Sequence, residues 1–193
     1  MLIGRLALPA FMALLAAAPA QEFHVGSNVS DFSVSTLDGG KISFSSLRGA
    51  TTVVVFISVQ CPVSNSYNSR MNALYSDYTA KGVKFLFINA NATERVADVK
   101  AHAQRVGFAF PVEKDQNNVV ADMFGAHATP ETFVIDKSGV IRYHGSIDDS
   151  QNEANIRTKR LRNALDAVLA GKNPEVSETK AFGCSIKRVQ KTS

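Results

Sequence analysis

TTVVVFISVQCP, residues 51–62, decides how this chain folds. Residues 51–59 are apolar or β-branched with almost no alternation, which suits a strand buried on both faces. The run stops at Gln60-Cys61-Pro62. Beyond it Tyr67, Met71, Leu74, Tyr75 and Tyr78 fall at i, i+4, i+7, i+8 and i+11, one face of an α-helix. Pro62 fits the first turn of that helix, where its missing N–H costs nothing. Cys61 is therefore placed between the end of a buried strand and the start of a helix. Unpaired N–H groups and the positive end of the helix dipole lie there, and both favour a thiolate over a thiol. The placement points to sulfur redox chemistry.

The chain has 193 residues, enough for one domain with some extra length. Its 45% apolar content is that of a protein with a real core. The net charge is only +4, with acidic and basic residues interspersed apart from Lys187, Arg188 and Lys191 near the end. No stretch interleaves basic and aromatic residues, which argues against a nucleic-acid partner. Residues 1–20 have a short basic start, an apolar core from Leu6 to Leu15, and Ala18-Pro19-Ala20 before Gln21. That is the layout of a secretory signal peptide. Its apolar run is too short for a comfortable membrane span, and an uncleaved anchor is the alternative. The expected organisation is a signal peptide at 1–20, a domain at 21–170 and a tail at 171–193. The expected location is periplasmic or secreted, with no membrane span after cleavage. The two cysteines, Cys61 and Cys184, would then work where disulfides persist.

Phe32 and Val34 alternate with polar residues and predict a first strand. Asp38-Gly39-Gly40 is a turn signal before a short second strand at Ile42 and Phe44. After the cysteine helix, which Gly82 ends, Val83 to Asn89 reads as another buried strand. Asn91-Ala92-Thr93-Glu94 has the spacing of a helix start, with Val96, Val99, Ala103 and Val106 on the apolar face and Gly107 at the end. Phe108 to Val112 is short and apolar, and a short helix follows from Asp115. Phe133-Val134-Ile135 and Val140 to Tyr143 flank an Asp136–Gly139 turn and read as a hairpin. Glu153 to Ala170 reads as the last helix, and residues 172–193 as an irregular tail. Two helical crossovers demand parallel strands, and the hairpin adds an antiparallel pair. The result is an α/β fold with a mixed central sheet covered on both faces.

These residues resemble the thioredoxin-like superfamily, and within it the redoxin group of alkyl hydroperoxide reductase and thiol-specific antioxidant relatives. The resemblance rests on Gly26 to Phe32 with Leu37-Asp38-Gly39, on Cys61-Pro62 after a strand, on Thr129-Pro130 before a strand, and on Phe133-Val134-Ile135-Asp136 with Gly139. It covers roughly residues 25–170 and implies a three-layer α/β/α sandwich. It also implies a cis Thr129–Pro130 peptide facing the active cysteine, a substrate groove shaped by Pro62, Thr129 and Pro130, and no cofactor. Two departures stand out. Thioredoxins carry Cys-x-x-Cys at this turn, whereas Ser64 stands here at the second position. Peroxiredoxins carry a proline at the position of Val54, although Ser58 keeps their hydroxyl.

Cys61 is the expected nucleophile, with Ser58, Ser64 and His127 as candidate supports for its thiolate. Cys184 is the candidate resolving cysteine, because the tail after Gly171 is long enough to reach across the domain. An inert staple, and pairing with another chain or none, remain open beside that reading. Glu131, Asp148 and Asp149 are expected as solvated turn residues, with proton relay or a place at the rim of the site as the alternative. The histidines show no metal-ligand spacing, and no metal is expected. The expected activity is thiol–disulfide oxidoreduction on protein or small-molecule disulfides, with a thiol reductant. The alternatives are a thiol peroxidase, a copper-binding protein and a non-catalytic interaction module.

Overall fold

The structure is a computed structural model and describes residues 22–190. The signal-peptide reading of residues 1–20, and Lys191, lie outside them. The strands are β1 (Ser33–Thr36), β2 (Lys41–Ser43), β3 (Thr52–Ile57), β4 (Lys84–Asn89), β5 (Val112–Lys114), β6 (Ala128–Thr129), β7 (Glu131–Ile135), β8 (Ile141–Gly145) and β9 (Cys184–Ser185). The α-helices are α1 (Pro62–Asn65), α2 (Asn68–Thr79), α3 (Val96–Val106), α4 (Val119–Met123) and α5 (Arg160–Leu169).

One sheet runs in the order β2-β1-β5-β4-β3-β7-β8. β3 lies at its heart, parallel to β4 and antiparallel to β7. The unalternating sequence of β3 follows from this position. Val53, Val55 and Ile57 face a core made with Tyr67, Met71, Tyr78 and Leu161, while Val54 and Phe56 face a second core with Phe32, Phe44 and Phe124. Both sides of the strand are dry, so every position is apolar. The sheet with α2, α3 and α5 on one face and α4 with the N-terminal segment on the other is a thioredoxin-like three-layer sandwich.

Several local expectations shift. The cysteine helix is broken into α1 and α2 at Ser66 and Tyr67, although Tyr67, Met71, Leu74 and Tyr78 do share its buried face. Asn91–Glu94 does not open α3, because the Glu94 side chain turns inward to donors of its own and the helix begins at Val96. Val96 stays 36% exposed, and the buried face of α3 is carried by Val99 and His102. The last helix starts at Arg160. Residues Glu153–Asn155 instead form a separate 3-10 turn, capped by the Asn152 side chain accepting from the Ala154 N–H. The tail gains a two-residue strand, β9, that pairs with β6.

Glu113, in β5, is 1% exposed and its Oε2 has no hydrogen-bond partner among the described residues. Burial pushes its carboxyl up from 4.5 to about 8, while backbone N–H groups pull weakly the other way. A raised carboxyl means that the unfolded chain loses the proton first. Stability contributed by this group therefore falls as pH rises from about 4.5 to about 8 and is level beyond. Glu113→Gln removes that slope. In urea unfolding, the variant is expected to gain about 3 kcal/mol on the wild type between pH 5 and pH 8; parallel pH profiles would contradict the assignment.

Candidate functional site

At the end of β3 the chain turns through Ser58, Val59 and Gln60 to Cys61. The turn is fixed by a buried carboxylate. Glu94, 1% exposed, accepts from Ser58 Oγ at 2.5 Å and from the Val59 and Gln60 N–H groups at 3.0 Å each. The side-chain amides of Asn89 and Asn91 also donate to it. Lys114 Nζ donates at 2.6 Å to Asn89 Oδ1, which turns that amide toward Glu94, and at 2.6 Å to the Asn91 backbone carbonyl. Burial draws the Lys114 ammonium below its ordinary range, against the pull of Glu94 and Asp115. A carboxylate satisfied by so many donors holds the backbone leading to the cysteine in one geometry.

Cys61 caps α1. Its N–H donates to Ser58 Oγ at 3.1 Å, and its Sγ accepts from the Ser64 N–H at 3.3 Å. The Thr129 carbonyl oxygen lies 3.4 Å from the same sulfur. The residue is only 2% exposed. The Thr129–Pro130 peptide is cis, as the resemblance implied.

The tail closes the site. β9 runs antiparallel to β6 with Cys184 opposite Thr129 and Ser185 opposite Ala128. Cys61 and Cys184 are joined as a disulfide, their Cα atoms 5.8 Å apart, inside the ordinary range for such a bridge. Gly183 makes the approach feasible, because a Cβ there would collide with the backbone carbonyl of Thr129. The tail is anchored on both sides of Cys184. Before it, Phe182 packs on Tyr67, and Thr179 N donates to the His144 carbonyl at 2.9 Å. After it, Ile186 is buried in the second core and its N–H donates to the His127 carbonyl at 2.9 Å. Lys187 N then donates to Asn91 Oδ1 at 2.6 Å and Val189 N to Asn118 Oδ1 at 2.7 Å. Arg188 donates to the Ala126 carbonyl at 2.6 Å and pairs with Asp122 at 3.2 Å.

Glu131 braces the facing loop. Its Oε2 accepts from the His127 and Ala128 N–H groups at 2.7 and 2.9 Å, and its Oε1 meets His144 Nε2 at 2.6 Å. Burial raises its carboxyl, but the bonds from His144 and the two N–H groups outweigh that, leaving it below the usual value. Glu131 and Asp148 are thus buried, not solvated, since each has found a partner: His144 for the first and Arg70, at 2.8 Å, for the second.

The structure brings Cys61, Pro62, Ser58, Ser64, Thr129, Pro130 and Cys184 together. Ser64 meets the sulfur through its backbone N–H, and its hydroxyl accepts from the Ser58 N–H at 3.2 Å. His127 is exposed and contributes its backbone groups, not its imidazole. Sequence reading missed Glu94, Asn89, Asn91 and Lys114. The signal was there as an asparagine, Asn89, ending the apolar run of β4. Beside the disulfide lies a cavity of about 230 Å³ bordered by both cysteines and by Gln60, Asn91, Glu94 and Lys187. Among the described residues no group of three or more His, Cys, Asp or Glu side chains is placed to hold a metal ion.

Comparison with known proteins agrees with this geometry. The AhpC/TSA family model matches residues 25–144. The thiol-disulfide oxidoreductase ResA of Geobacillus thermodenitrificans (strain NG80-2) is 32% identical over 118 residues, 61% of this chain and 67% of that protein. Two solved structures cover more of the chain. An uncharacterized conserved protein from Geobacillus kaustophilus has a TM-score of 0.81 at 30% identity, covering 92% of this chain and 100% of that one. A hypothetical protein from Sinorhizobium meliloti 1021 has a TM-score of 0.79 at 29% identity, covering 88% and 97%. With a thioredoxin-like sheet, a cysteine at the β3–α1 junction and a family match spanning residues 25–144, the chain belongs to the AhpC/TSA family of redoxins.

Proposed function

We propose that this protein is an exported thiol–disulfide oxidoreductase whose working couple is Cys61 and Cys184. The observation that carries the reading is the docked tail strand. The β6–β9 register sets Cys184 against Thr129 and its sulfur on Cys61, at a helix start where the Ser64 N–H points at the Cys61 sulfur. A hydrogen-bond donor at that sulfur favours the thiolate once the bridge opens. The fold thereby supplies the second cysteine that Ser64 denies to the local turn. Its position 123 residues along the chain replaces a Cys-x-x-Cys partner.

The reaction class follows from sulfur chemistry alone. A thiolate attacks a disulfide sulfur, a mixed disulfide forms, and a second thiolate resolves it. Electrons pass between sulfurs, so no cofactor is called for. The substrates are disulfides of proteins or small molecules, and a thiol reductant returns the couple to its dithiol form. The name of the ResA relative supports this class. Thr129 and Pro130 lie buried beneath the docked tail strand, so the surface a partner meets is Pro62 together with the outer side of the tail. Export rests on the leader pattern of residues 1–20. No helix among the described residues is long and apolar enough to cross a membrane.

A thiol peroxidase is the second reading, favoured by the Ser58 hydroxyl beside Cys61. That hydroxyl, however, donates to Glu94 and accepts from the Cys61 N–H, and Val54 occupies the position of the peroxiredoxin proline. Disulfide exchange is the better fit. A copper-binding or purely interacting module has less support, since the imidazole of His127 turns to solvent and Cys61 already has a sulfur partner.

The test compares disulfide reduction with peroxide consumption by the same reduced protein. Disulfide reduction is expected to fall about 100-fold or more in Cys61→Ser and in Cys184→Ser, and to exceed peroxide consumption in the wild type. Full activity in Cys184→Ser would contradict the couple. Gly183→Ala is expected to keep the fold but slow closure of the disulfide about tenfold, because the tail strand cannot approach Thr129. Unchanged closure in an alkylation time course would contradict the docking account. Glu94→Ala strands several buried donors and is expected to cost about 2–4 kcal/mol in urea unfolding.

A further inference from the structure

We propose that partners exchange with Cys184, not with Cys61: in the oxidised protein an incoming thiolate attacks Cys184 Sγ and Cys61 departs as the thiolate. This rests on the redox reading above and assigns the two sulfurs their order. It also inverts the order expected from sequence, in which Cys61 meets the partner and Cys184 resolves.

Access decides first. Cys61 is 2% exposed beneath the tail, with the Ser64 N–H at 3.3 Å and the Thr129 carbonyl at 3.4 Å from its sulfur. Cys184 is partly exposed and lies between two exposed residues, Gly183 and Ser185. Displacement at sulfur runs in line with the breaking S–S bond. An attacker of Cys61 must come from the side away from the tail, at a residue that is buried and already in contact with the Ser64 N–H and the Thr129 carbonyl. An attacker of Cys184 comes from the tail's outer side.

Leaving-group quality points the same way. The sulfur that leaves faster is the one whose thiolate is better stabilised. Cys61 keeps the Ser64 N–H donor as it departs, whereas Cys184 Sγ has no hydrogen-bond donor among the described residues. The tail does not need to swing out for this exchange. It is held by Phe182 and Thr179 before Cys184 and by Ile186, Lys187 and Val189 after it, none of which depends on the disulfide. The cavity of about 230 Å³ bordered by both cysteine residues opens beside the partly exposed Cys184 and gives the incoming group room, with Lys187 and Glu94 both on its border.

The partner sulfur bonds to Cys184 Sγ, the Cys61–Cys184 bond breaks, and its electron pair leaves on Cys61. A second partner thiolate then attacks the partner's own sulfur in the mixed disulfide and frees Cys184, which takes up a proton. The protein disulfide is reduced to two thiols and the partner dithiol is oxidised. In reverse, Cys184 attacks a substrate disulfide and Cys61 resolves the mixed disulfide by attacking Cys184.

The test uses the oxidised full chain and glutathione as a monothiol probe. Samples are quenched in acid at successive early times, free thiols are blocked with N-ethylmaleimide, and the cysteine peptides are mapped by mass spectrometry. Extrapolated to the earliest time, glutathione is expected on Cys184 with N-ethylmaleimide on Cys61, in about tenfold or greater excess over the reverse pattern. Glutathione chiefly on Cys61, or equally on both, would overturn the order while leaving the couple intact. No adduct on either cysteine, when the same protein unfolded in guanidinium gives both, would overturn the order and the redox reading together.

Discussion

Pairing of the tail strand with the Thr129 loop is the constraint from which the site follows. β9 is only two residues long, yet it lies against the cis-proline loop with the Gly183 backbone pressed close to the Thr129 carbonyl. Such an approach leaves no room for a side chain, and the one residue without one stands directly before the cysteine. Anchors on either side then fix the tail along its length. Ile186 enters one core, and Phe182 packs at the edge of the other. A tail clamped across both faces of the sheet delivers its sulfur to one place, and closing the long loop between the cysteines has already been met by contacts that are not sulfur.

Under the tail, the carboxyl ends of β3, β4 and β5 carry a compact polar network. Glu94 gathers donors from the β3–α1 turn, Asn89 and Asn91 hand those interactions on to Lys114, and Asn91 also receives the tail at Lys187. The same residue group therefore sets the backbone that presents Cys61 and part of the surface that receives Cys184. Buried polar networks of this kind hold one arrangement when every member is satisfied and fail together when one is removed. The facing loop has its own brace in Glu131, which ties the His127 and Ala128 N–H groups to His144, and His144 in turn bonds the tail at Ser177 and Thr179.

Much of the fold was legible because burial writes itself plainly into β3 and α2. A strand dry on both faces has no room for alternation, and the Tyr67, Met71, Leu74 and Tyr78 spacing can only be a helix face. Cys61 was legible because a cysteine-proline pair at such a junction has few other uses. Less was legible where side chains override local pattern. Asn91-Ala92-Thr93-Glu94 has the letters of a helix cap, yet Glu94 gains more from the five groups of the β3–α1 turn and strand ends than from capping α3. Glu131 reads as a loop acid, and only the fold reveals the N–H groups and His144 around it. Pairing of Cys184 with Cys61 is a long-range contact that no local pattern encodes; reach permitted it, and the β6–β9 register determined it.

We propose that a tail docked in both redox states makes Cys61 and Cys184 a reversible redox couple. It is tested most directly by equilibrium titration in glutathione redox buffers, read by thiol alkylation and by hydrogen exchange at the Ile186 amide. Complete two-electron interconversion is expected with a midpoint above about −300 mV, within reach of thiol partners, and with an Ile186 amide protected in both states. A couple that stays oxidised well below that potential would be an inert staple, not a working redox pair.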